Sequence, residues 1–157
     1  MKIKRLTIHN FRSIIHQTID CEDFTLFIGE NNSGKSNLIT ALRAFYEENN
    51  VKYDEKKDFP RIPKESDSES WIEIEYLTTD EEQSQLKDDY KREDNILKVR
   101  RYFKSDTRFQ KNQSNIYYVS KDGNISDTNF YGAKNVSQAK LGKVIYITEV
   151  TKKDETF

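Results

Sequence analysis

Apolar positions along the chain fall into short runs separated by polar and charged stretches, and their spacing predicts most of the elements. Lys2 to Ile8 reads as a strand with Ile3, Leu6 and Ile8 as its apolar residues, followed by a polar turn at Asn10-Phe11-Arg12-Ser13. Ile14 to Ile19 is a second strand, with Ile15 and Ile19 on one face and Gln17 between them, and Asp20 to Asp23 is an acidic connection. Phe24 to Ile28 is unbroken apolar and β-prone, which suits a strand buried on both faces. From Asn37 to Tyr46 the period changes: Leu38, Leu42 and Phe45, with Ile39 and Tyr46, form one helical stripe.

Further along, Trp71 to Leu77 alternates strictly, with Ile72, Ile74 and Tyr76 facing one way and Glu73 and Glu75 the other, the pattern of a half-buried strand. Thr79-Asp80-Glu81-Glu82 fits a capping box and predicts a short polar helix to about Tyr90. Ile96 to Phe103 and Asn115 to Ser120 are further strands, the latter ending in the turn Lys121-Asp122-Gly123-Asn124. Val144 to Ile147 mark one more buried strand within Lys143 to Thr148. Between the helix and Trp71, residues 47–70 are crowded with charge and punctuated by Pro60 and Pro63, which predicts a mobile connection inside one domain rather than a boundary. Two tightly joined strands followed by a buried one suggest an antiparallel flap beside a parallel core, an α/β fold.

Composition narrows this picture. The 157 residues amount to one domain or part of one. Apolar residues are 34%, charged residues 34% and mean hydropathy −0.93, so the core is thin and long segments are solvated. A net charge of −1 sets up no overall field toward nucleic acid or membrane. The single cysteine, Cys21, excludes an internal disulfide and fits a reducing compartment. No run is long and apolar enough to span a bilayer, and the N-terminus has no signal-peptide core, so the expected location is the cytoplasm.

The chemistry concentrates in Gly29-Glu30-Asn31-Asn32-Ser33-Gly34-Lys35-Ser36, which fits the phosphate-loop pattern G-x-x-x-x-G-K-S/T at every fixed position, between a predicted buried strand and a predicted helix start. The glycines let the backbone wrap a phosphate at dihedrals closed to other residues. Consecutive amide N–H groups and the helix N-terminus then favour an anion. Lys35 can reach β- and γ-phosphate oxygens, and Ser36 offers a hydroxyl to Mg²⁺ bridging them, which makes these two the candidate catalytic residues and Ser36 the metal ligand. Asn31, Asn32, Ser33, Gly34 and Asn37 complete the candidate nucleotide contacts, and ATP with Mg²⁺ is the expected ligand.

The order I-x-x-L-x-I-x-N-F-R-S, a strand pair, then F-I-G-E-N-N-S-G-K-S-N-L-I-T-A-L resembles the start of RecF/SMC-type ATPases, ABC-like P-loop proteins that act on DNA. The resemblance is closer to their OLD-family branch, the overcoming-lysogenization-defect nucleases of antiphage defence. It is strong over residues 1–46 and extends as pattern beyond. It implies a nucleotide-binding lobe with parallel core strands and an added antiparallel layer. It places Arg12 near the nucleotide phosphates and makes Asn32 a phosphate or water contact. It also implies a second ATPase head, as a homo-oligomer, that completes each site, and DNA as a partner of the intact protein.

Two further stretches bear on function. Lys98, Arg100, Arg101, Lys104, Arg108 and Lys111 interleave with Tyr102, Phe103 and Phe109, a composition that can track a nucleic-acid backbone. The competing reading, a solvated hairpin with its aromatics packed inward, is preferred because a sheet face exposes charges in any case. Val144 to Glu149 reads either as a degenerate second nucleotide-site strand, with Glu149 at the hydrolytic position and Thr148 where a metal-binding aspartate is expected, or as a strand preceding the signature region in OLD-like proteins; the second is preferred. With no LSGG-like signature, no aspartate–glutamate pair after a buried strand and no Toprim-type acid cluster, the chain reads as the N-terminal part of a longer ATPase domain, inactive by itself. The intact protein is then expected to couple ATP hydrolysis to DNA processing as an OLD-like defence nuclease. The alternative is a non-hydrolysing nucleotide-binding module that assembles DNA-bound repair complexes.

Overall fold

The computed structural model describes residues 1–21, 34–61 and 67–130, with side chains in the second stretch from Asn37 onward. Strand β1 (Lys2–Phe11) runs into a tight turn and returns as β2 (Ile14–Asp20). Helix α1 (Gly34–Tyr46) follows, then a 3₁₀ turn (Glu48–Asn50) and the single helical turn α2 (Glu55–Asp58). Strand β3 (Ser70–Leu77) leads to α3 (Asp80–Ser84), a second 3₁₀ turn (Asp88–Tyr90) and strand β4 (Ile96–Lys104). Strands β5 (Ile116–Val119) and β6 (Ile125–Asn129) close the described part.

The strands form one six-stranded sheet in the order β2-β1-β3-β4-β5-β6, with every neighbouring pair antiparallel. The two strands expected in a parallel core, 24–28 and 143–148, lie outside the described residues. Within the sheet, alternation decides the faces. Register sets Leu6 opposite Ile74, Ile74 opposite Val99, and Ile8 opposite Ile72. This face, with Tyr76, Leu97, Ile116 and Tyr118, packs against Leu38, Ala41, Ala44 and Phe45 of α1 as one core. The helix lies on the sheet because its predicted stripe supplies the apolar side and small Ala41 and Ala44 let it approach closely. Tyr46 meets Tyr76 hydroxyl to hydroxyl at 2.6 Å, and burial pushes the Tyr46 phenol up to about 12, so the pair stays neutral.

The opposite face is covered by its own side chains. Trp71, Tyr102 and Tyr117 form a second apolar cluster with Ile125. Arg100 lies 3.6 Å over the Trp71 ring and donates to Glu73 at 2.9 Å. Lys98 lies 3.6 Å from Glu73 and 3.9 Å from Glu75. Glu73 and Glu75 are therefore screened from solvent by the cations opposite them, rather than projecting into water as alternation alone implies.

Several boundaries shift. The capping-box helix closes at Ser84, short of Tyr90, and its box is present: Thr79 accepts from the Glu82 amide while Glu82 accepts from the Thr79 amide. Strand β6 has one apolar residue, Ile125, and escapes the hydrophobic pattern; it is held by backbone pairing to β5 across the Gly123 turn (φ 86°). The charged stretch after α1 contains two helical turns, and Asp58 in it is buried, 4% exposed.

Candidate functional site

The candidate site forms where the β1–β2 turn, the start of α1 and α2 converge. Arg12 sits in the turn with φ 54°, a left-handed conformation that few non-glycine residues adopt. Such an outlier persists where its surroundings hold it, and the surroundings here are identifiable. The Arg12 amide donates to the carbonyl of Asp58 and its Nε donates to Asp58 Oδ1 at 2.9 Å. The second carboxylate oxygen of Asp58 accepts from the Asp54 amide at 2.8 Å. Asp54 in turn caps α2, its side chain accepting from the Lys56 amide.

Below the turn, Phe11 leans on Tyr53 and Phe103, and Tyr53 stacks on Phe103 with ring centres 5.1 Å apart. Burial pushes the Tyr53 phenol well above its ordinary value, so this floor is uncharged at neutral pH. Helix α2 is pinned from the sheet by Lys104, which lies 2.8 Å from Glu55 and 4.0 Å over the Phe59 ring. An open cleft of about 500 Å³ runs beside the turn, lined by Arg12, Ser13, Ile15, Lys57, Phe59, Pro60 and Arg61. Three of those seven side chains are cationic, which suits an anionic ligand.

The phosphate-loop helix is tied to this turn directly: Asn37 Nδ2, in the first turns of α1, donates to Ser13 Oγ at 2.7 Å. Gly34, Lys35 and Ser36 begin α1, as the motif requires, and no acidic residue occupies the first turn to oppose an anion at the helix N-terminus. The side chains of Lys35 and Ser36 and the whole of Asn31, Asn32 and Ser33 lie outside the described residues, as does Glu149. Of the sequence-identified residues, the structure therefore brings Arg12 and Asn37 to one place, beside the start of the helix that Lys35 and Ser36 open. It also adds Asp58 and Ser13. The signal for Asp58 was present, since Asp54 followed by a short polar turn and Pro60 is a helix start and stop, but uniform charge density hid it.

The basic and aromatic residues of β4 and the following loop settle into internal pairs. Arg101 donates to the Phe45 carbonyl at 2.7 Å and also to Glu47. Arg100, Lys98 and Lys104 meet the acids described above, and Arg108 donates to the Ser126 carbonyl at 2.6 Å. Phe109 and Lys111 are the exposed members of the group. This arrangement matches the inward-packed hairpin rather than a backbone-tracking strip. His9 and His16 face each other across β1 and β2, with Nδ1 atoms 2.9 Å apart, and His9 Nε2 bonds Asp67. Among the described residues no group of three or more histidine, cysteine or acidic side chains is arranged to hold a metal. None of the described helices is long and apolar enough to cross a membrane.

A helix opened by the phosphate-loop glycine, lysine and serine, backed by an antiparallel sheet and flanked by a cationic turn, defines a P-loop ATPase lobe of the ABC/RecF type. The chain belongs to the AAA ATPase domain family, whose sequence profile matches residues 1–156. No curated protein sequence matches it. Among solved structures the chain is similar to one described as the structural biochemistry of ATP-driven dimerization and DNA-stimulated activation of SMC ATPases. The TM-score is 0.50 at 16% identity, over 88% of this chain and 76% of that one. The likeness is one of fold. Together these identify an ATPase domain of that family with a fold similar to an SMC ATPase structure.

Proposed function

We propose that the domain binds Mg²⁺·ATP at the start of α1 and that the intact protein hydrolyses it in a cycle coupled to DNA processing, as an OLD-like antiphage nuclease working in the cytoplasm. The observation that carries the nucleotide reading is the phosphate loop ending on α1, with the Arg12 turn bound to that helix through Asn37 and Ser13. The OLD assignment rests on the resemblance of residues 1–46 alone.

In this reading the loop amides and Lys35 cradle the phosphates and offset charge developing on the γ-phosphoryl oxygens. Ser36 would hold Mg²⁺, which would supply positive charge at the phosphates. Arg12, with its terminal nitrogens facing no described partner, adds a cation at the phosphate side. Asn31, Asn32, Ser33 and Gly34 contribute nucleotide contacts, and Asn37 holds the Arg12 turn beside them. These groups line one side of a nucleotide. A second head, in a homo-oligomer, closes the other side and excludes water.

The test is calorimetric titration of the chain with Mg²⁺·ATP beside Lys35→Ala. The variant should lose most Mg²⁺-dependent binding while its circular-dichroism spectrum is unchanged. Equal binding by both would refute the site. Binding by the full-length protein without any Lys35-dependent turnover would favour a non-hydrolysing assembly module of a DNA repair complex.

A further inference from the structure

We propose that Asp58 is the positioning residue for Arg12: its carboxylate holds the guanidinium by Nε alone and leaves both terminal nitrogens aimed outward for phosphate. The inference rests on the reading that Arg12 contacts the nucleotide.

Asp58 is buried while Arg12 is about one-third exposed, its side chain at 35%. The carboxylate is therefore the fixed partner and the arginine the group being placed. Asp58 is itself held at every acceptor. Its Oδ2 takes the Asp54 amide, its Oδ1 takes Arg12 Nε, and its carbonyl takes the Arg12 amide. Its own amide closes the helical turn onto the Asp54 carbonyl at 2.7 Å. One residue thus grips the backbone and the side chain of Arg12 together.

The geometry of the grip matters. A guanidinium has a fixed fork of donors. A carboxylate meeting the fork end-on, through both terminal nitrogens, would occupy the donors that recognise phosphate bidentately. Engagement at Nε, on the side of the fork, occupies neither terminal nitrogen, and no described residue meets them. The ring of Phe11 lies 5.8 Å from the guanidinium carbon and limits its swing toward the sheet. The arginine is therefore oriented before ligand arrives, and little side-chain freedom is left to lose on binding.

A carboxamide cannot reproduce this. Asp58 accepts at both side-chain oxygens, whereas asparagine has one acceptor and one donor group, so in either orientation an NH₂ faces Arg12 Nε or the Asp54 amide. Asp58→Asn keeps volume and shape while releasing one of the two contacts.

The experiment measures Mg²⁺·ATP affinity by calorimetry for the wild-type chain, Arg12→Ala, Asp58→Asn and the double variant. Each single variant should weaken binding about tenfold, the size of one well-placed charge-assisted contact. The double variant should bind no more weakly than Arg12→Ala, since Asp58 acts through Arg12. Without nucleotide, the Arg12 Nε–H resonance should be slow to exchange in the wild-type chain and fast in Asp58→Asn. Wild-type affinity in Asp58→Asn, or losses that add in the double variant, would overturn the positioning role alone. Wild-type affinity in Arg12→Ala would overturn it together with the place of Arg12 in the site, while loss of binding in Lys35→Ala would still uphold the phosphate loop. If Asp58→Asn does not fold, Arg12→Lys decides: an ammonium has no planar fork that can be held at one side by the carboxylate while presenting two parallel donors to phosphate, so affinity should fall well below wild type, and undiminished affinity would overturn the proposal.

Discussion

Replacing Arg101 by methionine isolates a competition that the packing sets up at the C-terminal end of helix α1. Arg101 projects from β4 onto the core face, where its side chain is 12% exposed. It donates to the Phe45 carbonyl, one of the unpaired acceptors at the C-terminus of α1, and to Glu47 just beyond. Two effects oppose each other. Burial costs the guanidinium hydration, and this outweighs the pull of Glu47, since its pKa lies below the ordinary arginine value with desolvation the largest cause. Against it stand a charge-assisted hydrogen bond to a helix-end carbonyl and a favourable alignment with the helix dipole. Glu47, 38% exposed, regains water when its partner leaves and counts for little.

Methionine keeps most of the buried stem, removes the desolvated charge and leaves the Phe45 carbonyl without its partner. A stranded buried acceptor costs about 1–3 kcal/mol. The relief of desolvation offsets part of that, because buried ion pairs replaced by apolar residues are often close to neutral. The net expectation is a loss of about 1–2 kcal/mol, or about 3–6 °C in thermal midpoint for a chain of this length. Denaturant unfolding with an unchanged m-value is the assay. A midpoint equal to or above wild type would refute the reasoning, showing that Arg101 is retained at net cost and does not cap α1. Glu47→Gln, expected to change stability by less than about 0.5 kcal/mol, separates the helix cap from the ion pair.

Two other outcomes follow from the same packing. Ile74 is fully buried at the centre of β3, between Leu6 and Val99, so Ile74→Ala should cost about 3 kcal/mol and lower the melting midpoint by about 10 °C; a loss under about 1 kcal/mol would mean that the helix collapses into the vacated space. His16 has its pKa held below the ordinary 6.5 by burial first, then by His9 and Arg100. The folded state then binds fewer protons than the unfolded chain, so stability should fall as pH drops below 6.5 and level off beneath the folded pKa. His16→Gln should flatten that slope between pH 7.5 and 5.5 in denaturant titrations, and an identical slope would show that another group carries it.

What the sequence determined by itself was local. Period-two and period-3.6 patterning marked β1 through β5 and α1, because a strand or helix with one buried face repeats that face in its residues. The Thr79–Glu82 box was legible because its bonds span three residues. The phosphate-loop pattern could be read because its chemistry requires fixed residue types at fixed spacing, though residues 29–33 of the loop lie outside the described residues, and Arg12 entered only through resemblance. Tertiary structure decided everything that depends on partners distant along the chain. Strand β6 exists through pairing, not hydrophobicity. Lys98 and Arg100 of β4 became internal pairs once β3 set Glu75 and Glu73 opposite them. Asp58 lay among acids and bases of no evident order until folding carried it across 46 positions to Arg12. Charge along a chain has no period that reports burial. An ion pair is defined by geometry in space, and only the fold supplies that geometry.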